Sequence, residues 1–421
     1  MKYFFVLGAN PTLSIAELSA VFGLNNKNTE CPTGRLASEN VFLIESNKAI
    51  DSSALIKKIG GTIKIGIINP SNSAGKQEAL QFGGQAGIKD YDGIKNNITE
   101  MLKDEQSEGK FKFGISYYGK AKFNIKPLAM EIKNYLRERG ISCRWVTSRE
   151  PTLSSVVVEQ NKLTGKGIEI VLIESEGKVL IGRTLAVQPF KELSFRDYGR
   201  PARDDYSGML PPKLAQIMIN LSGAKADDII LDPFCGSGTI LTEAMLMGCK
   251  NLIGSDISAK AIDDTKKNIE WIIKNYELGI RNYELLNIDA AELSKHIKPN
   301  SIDTIATEPY LGPQRGAHDI NKTIKELENL YGKALAEFKK VLKKDGRVVM
   351  TWPAFVPPLA ELRRGKPALR FINPNLSGFK IINPIPEYLR GDKKLKLTGR
   401  NTIIYGRAGQ KIWREIVVLR Q

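Results

Sequence analysis

Leu231-Asp232-Pro233-Phe234-Cys235-Gly236-Ser237-Gly238-Thr239 joins a short apolar run, DIILD (228–232), to a helix predicted near 239–248. Gly236 and Gly238 let the backbone turn tightly and come close to a ligand, because glycine has no Cβ and reaches positive φ freely. In a doubly wound sheet such a strand-to-helix turn lies at the carboxyl ends of the strands, where ligands bind. A dinucleotide fingerprint requires G-x-G-x-x-G, and here Leu241 stands at the third position, which disfavours a dehydrogenase. By itself G-x-G also fits a plain tight turn.

The flanking sequence extends the pattern. Short apolar strands NLIGSD (251–256), YELLNID (283–289), SIDTIATE (301–308) and GRVVMTW (346–352) alternate with helices predicted near 258–276 and 322–343. That alternation predicts a parallel sheet covered on both faces. TIIYGR (402–407) and KIWREIVVLR (411–420) read as antiparallel strands that close it. Asp256 ends the second strand, eighteen residues after Gly238, where a carboxylate can accept from both hydroxyls of a ribose. Asp289 ends the third, in reach of an adenine amino group. Thr307-Glu308-Pro309-Tyr310 ends the fourth. Each Asp alone also fits a solvated cap or turn. Together, three acids and a Pro-aromatic pair on one sheet edge describe a nucleoside-shaped site.

Composition narrows the chemistry. The 421 residues suggest two to four domains. No apolar run approaches the roughly 18 residues of a membrane span. The start, MKYFFVLGANPTLS, reads as a first strand rather than a secretory signal. Four cysteines (Cys31, Cys143, Cys235, Cys249) and two histidines (His296, His318) show no metal-ligand spacing, so no metal site, disulfide framework or histidine triad is expected. A reducing, cytoplasmic setting follows. The net charge of +16 points to a polyanionic partner, nucleic acid being the commonest, with solubility charge as the plain alternative.

The front of the chain is α+β. Residues 1–70 read as strand YFFVLGA, helix SIAELSAVFGL capped by Ser14 with Glu17, strand VFLIES, helix SSALIKKIGG and strand TIKIGIIN. A polar, Gly-rich stretch (71 to about 95) follows. Residues 96–188 read as strand FKFGISYYG, amphipathic helix IKPLAMEIKNYLRERG and strands SSVVVEQNKL, GIEIVLIES and KVLIGRTLAV. Residues 189–226 are a connector rich in Pro, Arg and Asp that ends in the helix PKLAQIMINLSG. Arg196, Arg200 and Arg203, with Tyr198 between them, fit either RNA contact or ion pairs with Asp197, Asp204 and Asp205.

From Asp228 onward the chain resembles the class I, Rossmann-like S-adenosylmethionine-dependent methyltransferases, in the branch that methylates amines. DPFCGSGT looks like that branch's glycine-rich cofactor motif, SDIS its ribose acid and NIDA its adenine-side acid. The resemblance implies S-adenosylmethionine as cofactor, touched by Asp232, Phe234, Gly236, Gly238, Thr239, Asp256, Ile257, Asp289 and Ala290. It implies Thr307, Glu308, Pro309 and Tyr310 as the catalytic turn. The front is similar to the archaeal-type tRNA guanine-N2 methyltransferases: a ferredoxin-like domain (1–70), an RNA-binding THUMP domain (71–188), a connector (189–226) and a methyltransferase domain (227–421). The segment GMLPPKLAQ, with Gly208 and Pro211, resembles the part that lies against the methionine end of the cofactor.

The implied activity is N2-methylation of guanosine in tRNA, once or twice. The rival readings are a guanine-N2 enzyme of rRNA, a DNA amino-methyltransferase and a non-catalytic RNA-binding protein. Oligomeric state is left open, monomer included. One departure stands out: the branch has Asp or Asn and then Pro where this chain has Thr307 and Glu308. Either side chain is a candidate to hold the target amine, with Tyr310 stacked on the base. Lys120, Lys122 and Lys126, then Arg363, Arg364 and Lys366, then Lys393, Lys394 and Lys396, are candidate phosphate tracks or solvated surface. Cys235 reads as small apolar packing and His318 as surface.

Overall fold

A computed structural model describes residues 1–25, 32–69, 82–83, 87–88, 91–105, 109–203, 209–279, 282–313, 319–357 and 369–421. Cys31, Asp204, Asp205, Gly208, His318, Arg363, Arg364 and Lys366 lie outside the described residues. The chain forms two compact units, one of Met1–Pro11, Asn26–Lys57 and Gly61–Phe190, the other of Thr12–Asn25, Lys58–Gly60 and Lys191–Gln421.

The first unit holds strands β1 (Lys2–Leu7), β2 (Thr33–Ser38), β3 (Val41–Glu45), β4 (Thr62–Ile68), β5 (Phe82–Gly83), β6 (Gly87–Ile88), β7 (Phe111–Tyr118), β8 (Cys143–Val146), β9 (Ile168–Ser175) and β10 (Lys178–Val187). Eight of them form one sheet in the order β2-β3-β1-β4-β10-β9-β7-β8, and β5 pairs with β6 apart from it. The 1–70 and 71–188 stretches therefore share a sheet, joined where β4 pairs antiparallel with β10. A buried ion pair sits across four of its strands. Lys64 on β4 donates to Glu169 on β9 (2.5 Å) and to the Leu153 carbonyl (2.7 Å), while Ser116 on β7 and Thr184 on β10 also donate to Glu169. A dry pair persists only with such full hydrogen bonding.

Two local expectations are corrected. SSVVVEQNKL is a short helix (Ser155–Gln160), not a strand. The Ser154 hydroxyl accepts from Val157 N, so an N-cap overrides the β-preference of three valines. The helix that follows β1 starts at Pro11 and runs to Val21, so Ser14 lies inside it rather than at its cap. Proline suits a first helical position. Glu17, expected in a capping box, is buried and instead accepts from Gly60 N and Asn220 Nδ2, both at 2.8 Å.

The second unit contains β11 (Ile229–Asp232), β12 (Asn251–Asp256), β13 (Asn282–Asn287), β14 (Ile302–Thr307), β15 (Leu342–Phe355), β16 (Arg370–Phe371), β17 (Lys380–Ile381), β18 (Ile403–Tyr405) and β19 (Ile412–Arg420). Their order is β13-β12-β11-β14-β15-β19-β17, with β16 beside β15 and β18 beside β19. The first five are parallel and β19 is antiparallel to β15, the α/β arrangement expected: a doubly wound, Rossmann-like sheet with antiparallel closing strands. Strand order reverses between β11 and β14, which fixes the topological switch point where such sheets bind ligands. Helices Thr239–Met247, Ala259–Asn275 and Ile320–Val341 lie close to the expected bounds. The core packs Leu231, Ile305, Val348 and Val417 of the sheet with Tyr331, Leu335 and Phe338 of the last helix.

Candidate active site

At the carboxyl ends of β11 to β14 lies a cleft of about 450 Å³, a size suited to a small ligand. Asp232, Phe234, Gly236, Thr239, Asp256, Ile257, Asp289, Ala290, Glu308, Pro309 and Tyr310, all singled out in the sequence, line it. Gly238 and Thr307, also singled out, are not among the lining residues, and Thr307 is fully buried.

The glycine turn is held from helix Ala259–Asn275. Gly236 and Gly238 have φ of +52° and +79°, the left-handed region that favours glycine. A Cβ on Gly238 would stand 2.8 Å from Thr265 Cγ2. The Thr265 hydroxyl donates to the Gly236 carbonyl (2.8 Å), and Asn268 donates to the Ser237 carbonyl (2.8 Å) and exchanges bonds with the Ala202 backbone. Neither residue was among those singled out. The signal was present: Thr265, Asn268, Ile269 and Ile272 share the buried face of that helix, so two polar residues stand where the period calls for apolar ones.

The acids differ in their surroundings. Asp256 accepts from Gly236 N through Oδ2 (3.0 Å) and from Ser258 N through Oδ1 (2.9 Å). Among the described residues each oxygen has that one donor, which leaves each a further acceptor site in a residue that lines the cleft. Asp289 accepts from Ala291 N (2.9 Å) at the start of a 3₁₀ turn. Asp232 is buried and accepts from Thr307 Oγ1 (2.6 Å) and Phe234 N (3.3 Å). Burial pushes its carboxyl up to about 7, against those two hydrogen bonds, with the charges of Asp256 and Glu308 adding to the rise. Burial also pushes the Cys235 thiol up, in keeping with a packing role.

The fourth strand end is tied to four elements. Thr307 is 0% exposed and its hydroxyl donates to Asp232. Glu308 Oε2 accepts from Arg414 Nε (2.5 Å) and Thr351 Oγ1 (3.2 Å), and Oε1 from Arg414 Nη2 (2.9 Å). The Tyr310 carbonyl accepts from the buried Tyr331 hydroxyl (2.9 Å), while the Tyr310 side chain is 55% exposed. Burial and then the Glu308 charge hold the Tyr331 phenol well above its usual pKa, so it stays a donor.

The connector arginines are mostly structural. Arg196 makes a bidentate pair with Glu243 (2.6 and 3.1 Å), which Gln216 also supports. Burial works against the Arg196 charge, but Glu243 outweighs it and raises the pKa. Arg200 donates to Thr239 Oγ1 (2.6 Å), bracing the helix that follows the glycine turn. Arg203 lies over the Tyr198 ring. Among the described residues no group of three His, Cys, Asp or Glu could hold a metal ion, and no helix is long and apolar enough to cross a membrane.

Comparison with known proteins agrees with this geometry. A family described as RMKL-like, methyltransferase domain, matches residues 200–355, and one described as DNA methylase matches 88–267. A probable tRNA (guanine(10)-N2)-dimethyltransferase of Methanothermococcus thermolithotrophicus is 36% identical over 32% of this chain and 77% of its own length. The tRNA (guanine(10)-N2)-dimethyltransferase of Methanothermobacter thermautotrophicus is 36% identical over 36% of this chain, and the chain spans 40% of that relative's length. That of Pyrococcus abyssi is 24% identical over 84% of this chain and 89% of its own. The crystal structure of TrmN from Thermus thermophilus covers both chains fully with a TM-score of 0.51 at 16% identity, a likeness of fold.

Proposed function

The chain belongs to the family of the tRNA (guanine(10)-N2)-dimethyltransferases, and from that membership we propose that it uses S-adenosylmethionine to methylate guanine N2 in tRNA. One observation carries the reading: the glycine turn, Asp256, Asp289 and the Pro309-Tyr310 corner line a single cleft at the switch point of the sheet. The cleft fits the cofactor. Asp256, with one acceptor site left per oxygen, would hold a ribose diol, Asp289 would hold the adenine amino group, and the buried carboxyl of Asp232 would favour the cationic end. When bound, S-adenosylmethionine supplies a methyl group on a positively charged sulfonium.

The protein's part is positioning and electrostatics. An exocyclic amine is a poor nucleophile because its lone pair is delocalised into the ring. Thr307 is buried and donates to Asp232, which leaves Glu308, on the cleft wall, to accept an N–H of the target amine. That hydrogen bond draws the lone pair out of conjugation. Tyr310, half exposed at the cleft mouth, stacks on the base. Methyl transfer to the held nitrogen would leave a surplus amine proton, which would pass to water.

The net charge of +16 supports an RNA substrate. In the first unit a cleft of about 730 Å³ is lined by Tyr117, Tyr118, Lys120, Lys122 and Phe123. We assign the RNA-binding THUMP role to 71–188, beside a ferredoxin-like 1–70, a connector at 189–226 and the catalytic domain at 227–421, in a cytoplasmic protein. Incubation with methyl-labelled S-adenosylmethionine and separate pools of tRNA, rRNA and DNA tests the proposal. Label in tRNA is expected. Label confined to rRNA or DNA selects a rival substrate, and no cofactor binding at all overturns the reading.

A further inference from the structure

We propose that Arg414 is a positioning residue that fixes Glu308 as the acceptor for the target amine; the inference rests on the methyltransferase reading above. Glu308 follows β14 and Arg414 stands on β19, 106 residues away. Their contact is bidentate, at 2.5 and 2.9 Å, and Thr351 on β15 adds a third bond. Among the described residues these are the bonds that reach the carboxylate. Of its roughly four lone-pair sites, one on Oε1 is left. Glu308 lines the cleft, so that remaining site is what it can offer a ligand.

The pair is an unusual choice on stability grounds. The two side chains are 14% and 13% exposed, and an ion pair taken that far out of water contributes little beyond what apolar packing would. What a guanidinium fork does supply is a fixed carboxylate plane. A glutamate on its own has three rotatable bonds; held by Nε and Nη2 it has one orientation. Arg414 is itself rigidly based, paired in register with Pro353 of β15 on one side and Tyr405 of β18 on the other. Burial opposes its charge, but Glu308 outweighs that and keeps the guanidinium protonated. Thr307 cannot serve as acceptor in its place, being fully buried with its hydroxyl directed to Asp232.

Three variants test this: Arg414→Ala, Arg414→Lys and the charge-exchanged Glu308→Arg/Arg414→Glu. Each is measured for thermal melting, S-adenosylmethionine Kd by calorimetry, and kcat and KM on tRNA. For Arg414→Ala we expect kcat to fall at least tenfold, with cofactor Kd and tRNA KM within twofold, and added guanidinium ion to restore part of kcat. Arg414→Lys keeps the charge without the fork and should recover less than half of the lost activity. The exchanged pair should regain the melting temperature but not kcat, because a donor now faces the amine. Wild-type kcat in Arg414→Ala, or recovery of both melting and kcat in the exchanged pair, overturns the proposal. A wild-type chain inactive on every nucleic-acid pool overturns the function reading, and this one with it.

Discussion

Asp256 lies 20 residues from the Gly236 amide it accepts from, whereas Glu308 lies 106 residues from the Arg414 that holds it. The contrast runs through the whole cleft. On the cofactor side, the acids at successive strand ends bond to backbone amides, Asp256 to those of Gly236 and Ser258 and Asp289 to that of Ala291, and their spacing alone describes a nucleoside. On the substrate side, side chains of other elements do the holding: β11 for Thr307, β15 and β19 for Glu308, and the helix Ile320–Val341 for Tyr310. A local motif can be complete in one stretch of chain. A site that departs from its pattern, as Thr307-Glu308 does, depends on partners that only the fold supplies.

The two sides should therefore break differently. The largest effect is expected for Gly238→Val, which forces a β-branched residue into positive φ with its Cβ 2.8 Å from Thr265. Strain of about 1–3 kcal/mol predicts up to roughly 100-fold weaker S-adenosylmethionine binding by calorimetry. Next comes Tyr310→Ala, which should leave the cofactor Kd unchanged while kcat/KM on tRNA falls by about 30-fold, the scale of base stacking. An equal loss of cofactor binding would mean the sides are not separable.

Tyr331→Phe removes one neutral hydrogen bond to the Tyr310 carbonyl and should cost about fivefold in kcat/KM. The smallest effect is expected at Asp232, where the two sides meet. Its carboxyl is raised to about 7 in the folded chain, above its unfolded value, so the stability it lends is full below that unfolded value and is lost as pH rises through about 7. Melting temperature without cofactor should fall by about 3 °C between pH 5 and 8, and Asp232→Asn should flatten that slope. A cationic ligand favours the ionised form, so cofactor affinity should rise over the same window.

Much of the catalytic unit was legible because its signals are short in sequence: strand-helix alternation, a G-x-G turn and acids at strand ends. Its sheet order and the clustering of the expected residues follow from that alternation. The front unit was less legible. Lys64 and Glu169 sit inside apolar strands and pair across the sheet, and no periodicity announces such a partner. Three valines at 156–158 read as strand until the Ser154 cap is seen. Arg414 stands in an apolar closing strand, and nothing in that strand's sequence points to Glu308, 106 residues away, as its partner.

The central claim, that this cleft delivers a methyl group to guanine N2 of tRNA, is tested most directly by a mass-spectrometric nucleoside profile. Unmodified tRNA would be incubated with the protein and S-adenosylmethionine carrying a deuterated methyl group. The account predicts deuterium-labelled N2-methylguanosine, with or without the dimethylated form, and its loss in Gly238→Val. Label in methyladenosine or methylcytidine alone, or no labelled nucleoside while the protein binds both cofactor and tRNA, would contradict it.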